Sequence, residues 1–202
     1  MEISFDYYFA AEQNFLNDTK QYEPKGIDVQ SISDYFQERL IKLGANYHIF
    51  FSYIDAKIQY SEKQSIKWVL YNEEKIIAGV KCQMAATNLF GRRWIAYFAK
   101  NGYDFSVGPY KFSGLPGLIF EIYDTRDDYH FTLSSFEKYE KNLKFNLNNY
   151  SLFTKANYLK AKFNLEYQGA GYPPMTQEMR REYEETVSVL KKMFNNPIEL
   201  KP

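Results

Sequence analysis

Apolar and polar residues alternate in short runs between Trp68 and Phe136. A period of two places successive side chains on opposite faces of a strand, so the pattern predicts β-strands that each bury one face. Glycine- and aspartate-containing turns divide the stretch. We therefore expect a three-stranded meander over 66–99 and two further strands over 118–136, all antiparallel neighbours.

The rest of the chain adds strands and helices to this sheet. Alternation predicts further strands at 3–9, 47–60 and 158–167. Apolar residues recur at helical spacing over 29–43 and 177–194, which predicts two amphipathic helices. We expect a single α+β domain spanning all 202 residues. It is mainly antiparallel β, a curved sheet or half-barrel packed on two or more amphipathic helices.

Composition limits the function classes. Lysine and arginine together number 25, as do aspartate and glutamate, and this balance argues against a dedicated nucleic-acid binder. No apolar run reaches the ~20 residues of a membrane-spanning helix. The chain has 19 tyrosines and 17 phenylalanines. They predict either an ordinary tyrosine-rich sheet surface or, as the functional alternative, an aromatic-lined groove.

Cys82 is the only cysteine, so no disulfide can form within the chain. It lies in an alternating apolar segment, where a buried, unreactive thiol is the ordinary interpretation. The alternative is a hydrolase with Cys82 as nucleophile and His130 as base, which no local motif supports. We assign no catalytic residue. One cysteine with two separated histidines, His48 and His130, makes no zinc ligand set, and we expect neither metal nor cofactor.

Charged residues near the last predicted strands are a second group of candidates. Three aspartates share one predicted turn: Asp124, Asp127 and Asp128. Their oxygens could bind calcium, but they lack the spacing of an EF-hand loop, so a solvated turn is favoured. Alternation predicts that Glu121 faces the surface. Arg92 and Arg93 flank a turn, and we expect one of them to pair with Glu121 across the sheet or to face water.

Glycine and proline cluster between the two groups of predicted strands. Because glycine can adopt positive φ and proline fixes φ, we expect a rigid turn that sets strand register. The turn residues are Gly108, Pro109, Gly114, Pro116 and Gly117. The functional alternative is a loop that presents four side chains to a ligand or partner. These binding candidates are Tyr110, Lys111, Phe112 and Leu115.

The same loop carries a family resemblance. GPYKFSGLPGLI, from Gly108 to Ile119, resembles the signature of the GLPGLI family. IAGVKCQMA at 77–85 and FGR at 90–92 resemble its upstream segment, and NPIEL at 196–200 resembles a common ending. The resemblance is dense over about 66–137. It implies an exported Bacteroidetes protein without established activity, located in the periplasm, at the outer membrane or outside the cell, its leader removed before Met1.

Three functions follow as hypotheses. The first is a non-catalytic binding protein of the cell envelope that holds an apolar or peptide ligand on a concave aromatic face. The second is an interaction or assembly protein that docks on an outer-membrane or secreted partner through an exposed Tyr110–Phe112 patch. The third, which we disfavour, is a hydrolase that uses Cys82. We expect no nucleic-acid partner and no transmembrane segment.

Overall fold

The computed structural model describes residues 2–9, 38–137, 148–193 and 195–201. In these ranges the chain forms ten strands and two helices. The strands are β1 (Glu2–Phe9), β2 (Arg39–Leu43), β3 (Asn46–Tyr53), β4 (Ala56–Lys63), β5 (Val69–Ile77), β6 (Val80–Leu89), β7 (Arg92–Ala99), β8 (Ile119–Asp124), β9 (Tyr129–Glu137) and β10 (Ser151–Leu152). The helices are α1 (Lys155–Tyr167) and α2 (Gln177–Met193). The predicted α+β class with mainly antiparallel strands is confirmed.

The chain forms two compact units. Unit 1 comprises Met1–Asn14, Ser65–Leu143 and Asn196–Pro202, and it contains a six-stranded sheet in the order β1-β9-β8-β7-β6-β5. Unit 2 comprises Phe15–Gln64 and Lys144–Asn195, and it contains a four-stranded sheet in the order β10-β4-β3-β2 and both helices. The strands thus lie in two sheets instead of the one curved sheet that we expected. The prediction of a single domain stays a prediction.

Unit 1 follows the alternation of the sequence. Strands β5 to β9 form an antiparallel meander, as predicted for 66–99 and 118–136, and β1 pairs antiparallel with β9. The central strand β7 is buried on both faces. Trp94 and Ala96 lie on one face, and Tyr97 and Ala99 on the other, all largely shielded from solvent.

Unit 2 is a small sheet covered by α1. Tyr158 and Leu165 of α1 pack on buried side chains of β3 and β4. The prediction of a strand at 158–167 is wrong, because Tyr158 and Leu165 are seven residues apart and share one helix face. Thr154 caps this helix, since its side chain accepts a hydrogen bond from the Asn157 amide at 3.3 Å.

The helix predicted at 29–43 needs a second correction. Residues 29–37 lie outside the described residues, but Arg39–Leu43 forms β2, which pairs antiparallel with β3. Gly44 has a φ of +62° and lies in the two-residue turn between β2 and β3. It therefore closes a hairpin where we expected the end of a helix, because cross-strand pairing outweighs local spacing here.

Helix α2 confirms the helix predicted at 177–194, with residue 194 outside the described residues. The Thr176 side chain accepts a hydrogen bond from the Met179 amide at 3.2 Å and caps the start of the helix. Tyr183 of α2 donates to the Glu166 carbonyl of α1 at 3.4 Å, so the two helices contact each other. Neither described helix is long and apolar enough to cross a membrane.

The core of unit 2 contains an unusual hydroxyl. Tyr158 is 1% exposed, and its hydroxyl has no hydrogen-bond partner among the described residues. Its ring lies 4.5 Å from that of Tyr60. Nearby, Lys162 pairs with Glu38 and lies 3.7 Å from Glu166, whose pKa burial raises to about 7. A buried hydroxyl that makes no hydrogen bond destabilises the folded state.

We predict that Tyr158→Phe raises the free energy of unfolding by about 1 kcal/mol, because the substitution removes only the desolvated hydroxyl. Tyr129→Phe is the matched control. The Tyr129 hydroxyl donates to the Asn196 carbonyl at 2.6 Å, so its loss should destabilise the protein. Urea denaturation followed by circular dichroism measures both variants. Equal destabilisation by the two substitutions would contradict the prediction.

Candidate functional site

The glycines of the loop between β7 and β8 are required by close packing more than by backbone conformation. A Cβ at Gly117 would lie 2.0 Å from the Ala99 carbonyl oxygen, and one at Gly108 would lie 2.5 Å from Ile119 Cδ1. Only Gly114 of the three has a positive φ, at +95°. The expectation of positive φ is therefore wrong for Gly108 and Gly117.

Main-chain hydrogen bonds tie this loop to the sheet. The Leu118 amide donates to the Tyr103 carbonyl at 3.0 Å, and the Ala99 amide donates to the Leu118 carbonyl at 2.9 Å. The Ile119 amide donates to the Val107 carbonyl at 3.0 Å. These hydrogen bonds hold the loop against the start of β8, and a register-setting role for its glycines and prolines stays a prediction.

The side chains proposed as binding candidates lie mostly inside unit 1. Lys111 is 0%, Phe112 1% and Leu115 2% exposed, and Tyr110 is half-buried. The Phe112 ring packs 4.6 Å from that of Trp94. The Tyr110–Phe112 patch is therefore not an exposed surface, which the docking hypothesis required.

Lys111 and Tyr110 bind the C-terminal segment. The Lys111 ammonium forms an ion pair with Glu199, and the Tyr110 hydroxyl donates to the same carboxylate oxygen at 2.6 Å. The Leu200 amide donates to the Phe90 carbonyl at 2.8 Å. Because a buried ammonium is costly without a partner, the ion pair with Glu199 stabilises the interior position of Lys111.

Arg92 is a second buried cation in unit 1, with a fully shielded side chain. It donates to Asp124 at 2.9 Å and to Asp128 at 2.6 Å. It also donates to the Asn196 side chain at 2.5 Å and to the Pro197 carbonyl at 2.8 Å. Two expectations are wrong here. Arg92 neither faces water nor pairs with Glu121, and Asp124 is buried as its partner instead of lying in a solvated turn.

These contacts assemble the segments on which the family resemblance was based. FGR at 90–92, the loop at 110–112 and NPIEL at 196–200 meet around the two buried cations. Neither the spacing nor the type of these residues predicted the meeting, because the partners lie roughly 90 to 105 positions apart. The resemblance thus marks a structural element.

Cys82 has the surroundings of an unreactive thiol. It is fully buried, and its Sγ donates to the Val80 carbonyl at 3.6 Å. Burial raises the pKa of the Cys82 thiol to about 11, so the thiol is protonated at neutral pH. His130, the proposed base, is bound to Glu121 with 2.9 Å between Nε2 and Oε1.

One face of the unit 1 sheet brings together polar groups from separate strands. Strand register and alternation place them on the face that also bears Cys82. We call this surface the tyrosine face. It consists of Tyr71, Glu73, Lys75, Arg93, Tyr97, Glu121, Tyr123 and His130.

A bulge in β5 shapes this face. Regular pairing with β6 stops after Leu70 and resumes at Glu74, so β5 carries extra residues between them. A bulge changes the direction in which the side chains of a strand point. Here the side chains of Tyr71 and Glu73 both reach groups on β7. The Tyr71 hydroxyl accepts from Arg93 at 3.1 Å, and Glu73 accepts from the Tyr97 hydroxyl at 2.8 Å.

Hydrogen bonds and ion pairs hold the centre of the tyrosine face. Lys75 pairs with Glu121 and lies 4.7 Å from the centre of the Tyr97 ring. Glu121 also binds His130, whose ring lies 5.4 Å from that of Tyr123. Burial, and then the bond to Glu73, raise the pKa of Tyr97, so its hydroxyl remains a donor.

The tyrosine face is open to solvent at its edges. The side chains of Lys75 and His130 are 43% and 42% exposed, and Tyr71 is also exposed. Arg93 has no carboxylate partner in the described part of the chain; its contacts are Tyr71 and Asn88. No group of three or more metal-binding side chains occurs among the described residues. This surface suits hydrogen bonding and ring stacking.

Comparisons with known proteins add a fold relationship. No family model matches the chain. No curated protein matches it. The structure of PNGF-II in its C2 crystal form is similar, with 16% identity and a TM-score of 0.54 over 68% of this chain and 27% of that one. The P21 form gives 15% identity and a TM-score of 0.50 over 65% and 26%. The chain spans about a quarter of PNGF-II, and such identity shows shared fold alone.

Glu199→Gln should lower the free energy of unfolding by about 3 kcal/mol, because it removes a carboxylate charge that pairs with the buried Lys111 ammonium. Glu185→Gln is the matched control, since the Arg181–Glu185 pair is exposed and should contribute less than about 1 kcal/mol. Urea denaturation measures both. Lys111→Met combined with Glu199→Leu should recover part of the loss. Equal effects of the two Glu→Gln changes would be the contrary result.

Gly117→Ala should destabilise unit 1 by at least about 2 kcal/mol, because the added methyl group collides with the Ala99 carbonyl. Gly114→Ala should lower the free energy of unfolding by only about 1 kcal/mol. Its added methyl group would lie 3.7 Å from the nearest atom, Trp68 Nε1, so the remaining strain comes from the positive φ. Thermal unfolding ranks the two variants. If Gly114→Ala proved the more damaging, the packing argument for Gly117 would be wrong.

Proposed function

We propose that this chain is a non-catalytic, peptide-binding protein of the cell envelope, and that the tyrosine face holds the peptide. The observation that carries the proposal is the bulge in β5, which adds Tyr71 and Glu73 to a platform of rings and charges on a rigid sheet. Binding groups carried on strands keep their geometry without ordering a loop, which lowers the entropic cost of binding.

A peptide fits this face better than a purely apolar molecule. The half-exposed Tyr123 and exposed Tyr71 rings offer stacking surface, while Lys75, Arg93 and His130 offer hydrogen-bond donors at the rim. An apolar ligand would desolvate the Arg93 guanidinium, which has no carboxylate partner among the described residues, at considerable cost. A peptide supplies apolar side chains, carbonyl groups and carboxylates together.

Among the residues that the structure describes, the candidate nucleophile and the carboxylates of the tyrosine face favour binding over catalysis. The buried Cys82 thiol is protonated at neutral pH. On the tyrosine face both carboxylates are already bonded, Glu73 to Tyr97 and Glu121 to Lys75 and His130.

The location rests on the resemblance to the GLPGLI family. We propose membership of that family and therefore a Bacteroidetes protein of the periplasm, the outer membrane or the exterior. The fold shared with PNGF-II carries no function to this chain. Docking through the Gly-Pro loop is less well supported, because Lys111 and Phe112 are buried.

Native mass spectrometry of protein purified from its own host envelope tests the peptide proposal. We expect a peptide adduct on the unaltered protein and on Arg126→Ala, an exposed arginine in the β8–β9 turn. The adduct should be lost from the Tyr71→Ala, Arg93→Ala double variant, because an exposed ring and a half-buried guanidinium of the tyrosine face are gone. A peptide retained equally by all three proteins, or no peptide on any of them, would contradict the proposal.

Cell fractionation of the host tests the location. We expect the protein in the periplasmic, outer-membrane or secreted fraction, with a cytoplasmic marker enzyme absent from that fraction. Recovery of the protein with the marker enzyme would remove the envelope part of the proposal and leave the peptide part standing.

A further inference from the structure

We infer that Glu166 is a pH-sensitive switch in unit 2, which loosens the contact between α1 and the segment before β2 when its carboxylate ionises. This inference is independent of the tyrosine face. Lys162 of α1 forms an ion pair with Glu38, which directly precedes β2 and lies 124 positions away in sequence. The Glu166 carboxylate lies 3.7 Å from the same Lys162 ammonium. One ammonium thus contacts two carboxylates.

The second carboxylate makes this contact depend on protons. When Glu166 carries a proton, Lys162 and Glu38 form a neutral pair. When Glu166 is ionised, the three groups carry one negative charge in excess, and the two carboxylates compete for one ammonium. The three side chains are only 18% to 21% exposed, so solvent screens this repulsion less than it would on an open surface.

The position of Glu166 in α1 disfavours its charge for a separate reason. Glu166 is the last residue but one of the helix, whose last turn contains no basic residue. The main-chain carbonyl groups at the C-terminal end of a helix carry a partial negative charge, which repels a carboxylate. The helix end therefore favours the protonated form of Glu166.

The other titratable groups around this cluster are phenols. Burial raises the pKa of Tyr53, Tyr158 and Tyr183, so these side chains stay neutral. Of the described groups that act on the Glu166 carboxylate, Lys162 supplies the positive charge and Glu38 the negative charge. The phenols come from every described element packed here: Tyr53 of β3, Tyr60 of β4, Tyr158 of α1, Tyr172 from the segment between the helices and Tyr183 of α2.

The direction of the pH effect follows from the pKa of Glu166. Burial raises this pKa to about 7 although Lys162 opposes the rise, and the charge of Glu38 adds to it. The ordinary pKa is 4.5, so the folded state holds a proton that the unfolded state has already released. The stability that this proton gives is complete below about pH 4.5 and is lost as the pH rises through about 7.

Urea denaturation of the full-length chain, followed by the helical circular dichroism of α1 and α2, tests the switch. From about pH 5 to about pH 8.5 the folding equilibrium constant should fall at least about tenfold. Glu166→Gln keeps the shape and removes the charge, so it should abolish most of this fall. Glu62→Gln is the matched control, because Glu62 is equally shielded and pairs with Lys155 of α1 at 2.8 Å; it should keep the fall. No fall in the unaltered protein, or an equal fall in all three proteins, would overturn the switch.

Hydrogen exchange locates the loosening. Protection factors, which remove the intrinsic pH dependence of exchange, should fall at least about fivefold for the amides of β2 over the same pH range. They should stay constant in Glu166→Gln. Protection of β2 that does not change with pH in the unaltered protein would overturn the inference, whatever the urea result.

An NMR titration of the glutamate carboxyl carbons tests the shared ammonium. We expect a midpoint near pH 7 for Glu166. Glu38→Gln should lower this midpoint by about half a pH unit or more, because it removes a like charge and leaves Lys162 to Glu166. Glu185→Gln, a change in an exposed pair of α2, should leave the midpoint unchanged. A midpoint close to 4.5 in the unaltered protein, or one that Glu38→Gln does not move, would overturn the proposal.

Discussion

The interior of unit 1 depends on two buried cations that share one C-terminal segment. Arg92 binds Asp124, Asp128 and the backbone of that segment, and Lys111 binds Glu199 within it. Removing one partner of a buried ion pair costs more than the pair itself contributes, because the other charge stays desolvated. These pairs therefore tie the C-terminal segment to the sheet, although the segment lies 89 to 104 positions from Tyr110 and Arg92 in sequence.

The strands of unit 1 could be predicted because their signal is local. Alternation around Trp94 and Tyr97 determines both faces of β7, and the adjoining turns determine its antiparallel neighbours. Unit 2 shows the limit of such prediction. Leu40 and Leu43 have helical spacing yet lie in β2, and Tyr158 starts an apolar run that proved helical. Where a segment is short and weakly periodic, tertiary partners decide its structure.

The candidate sites were harder to predict, because they depend on long-range contacts and on backbone proximity. The sequence around Arg92 suggested a surface residue, because it contains no sign that Asn196, 104 positions away, is its hydrogen-bond partner. Gly117 was predicted to be a turn residue because of its backbone freedom, but no sequence pattern reveals that the Ala99 carbonyl lies against it. The tyrosine face was not predicted, because a bulge in β5 brings Tyr71 and Glu73 onto it. An alternating sequence pattern gives no sign of such a bulge.

The signature residues and the proposed ligand-binding residues are therefore separate sets. Lys111, Phe112 and Glu199 are enclosed and maintain the scaffold, whereas Tyr71 of β5 and Arg93 of β7 lie on the tyrosine face. Substitution of a charged residue in the first set lowers the stability of unit 1, because it leaves a buried charge with fewer partners. A change in the second set alters only what the surface can bind. The glycine-proline loop of this chain thus helps to close its sheet, and the ligand that we propose depends on side chains of a different surface.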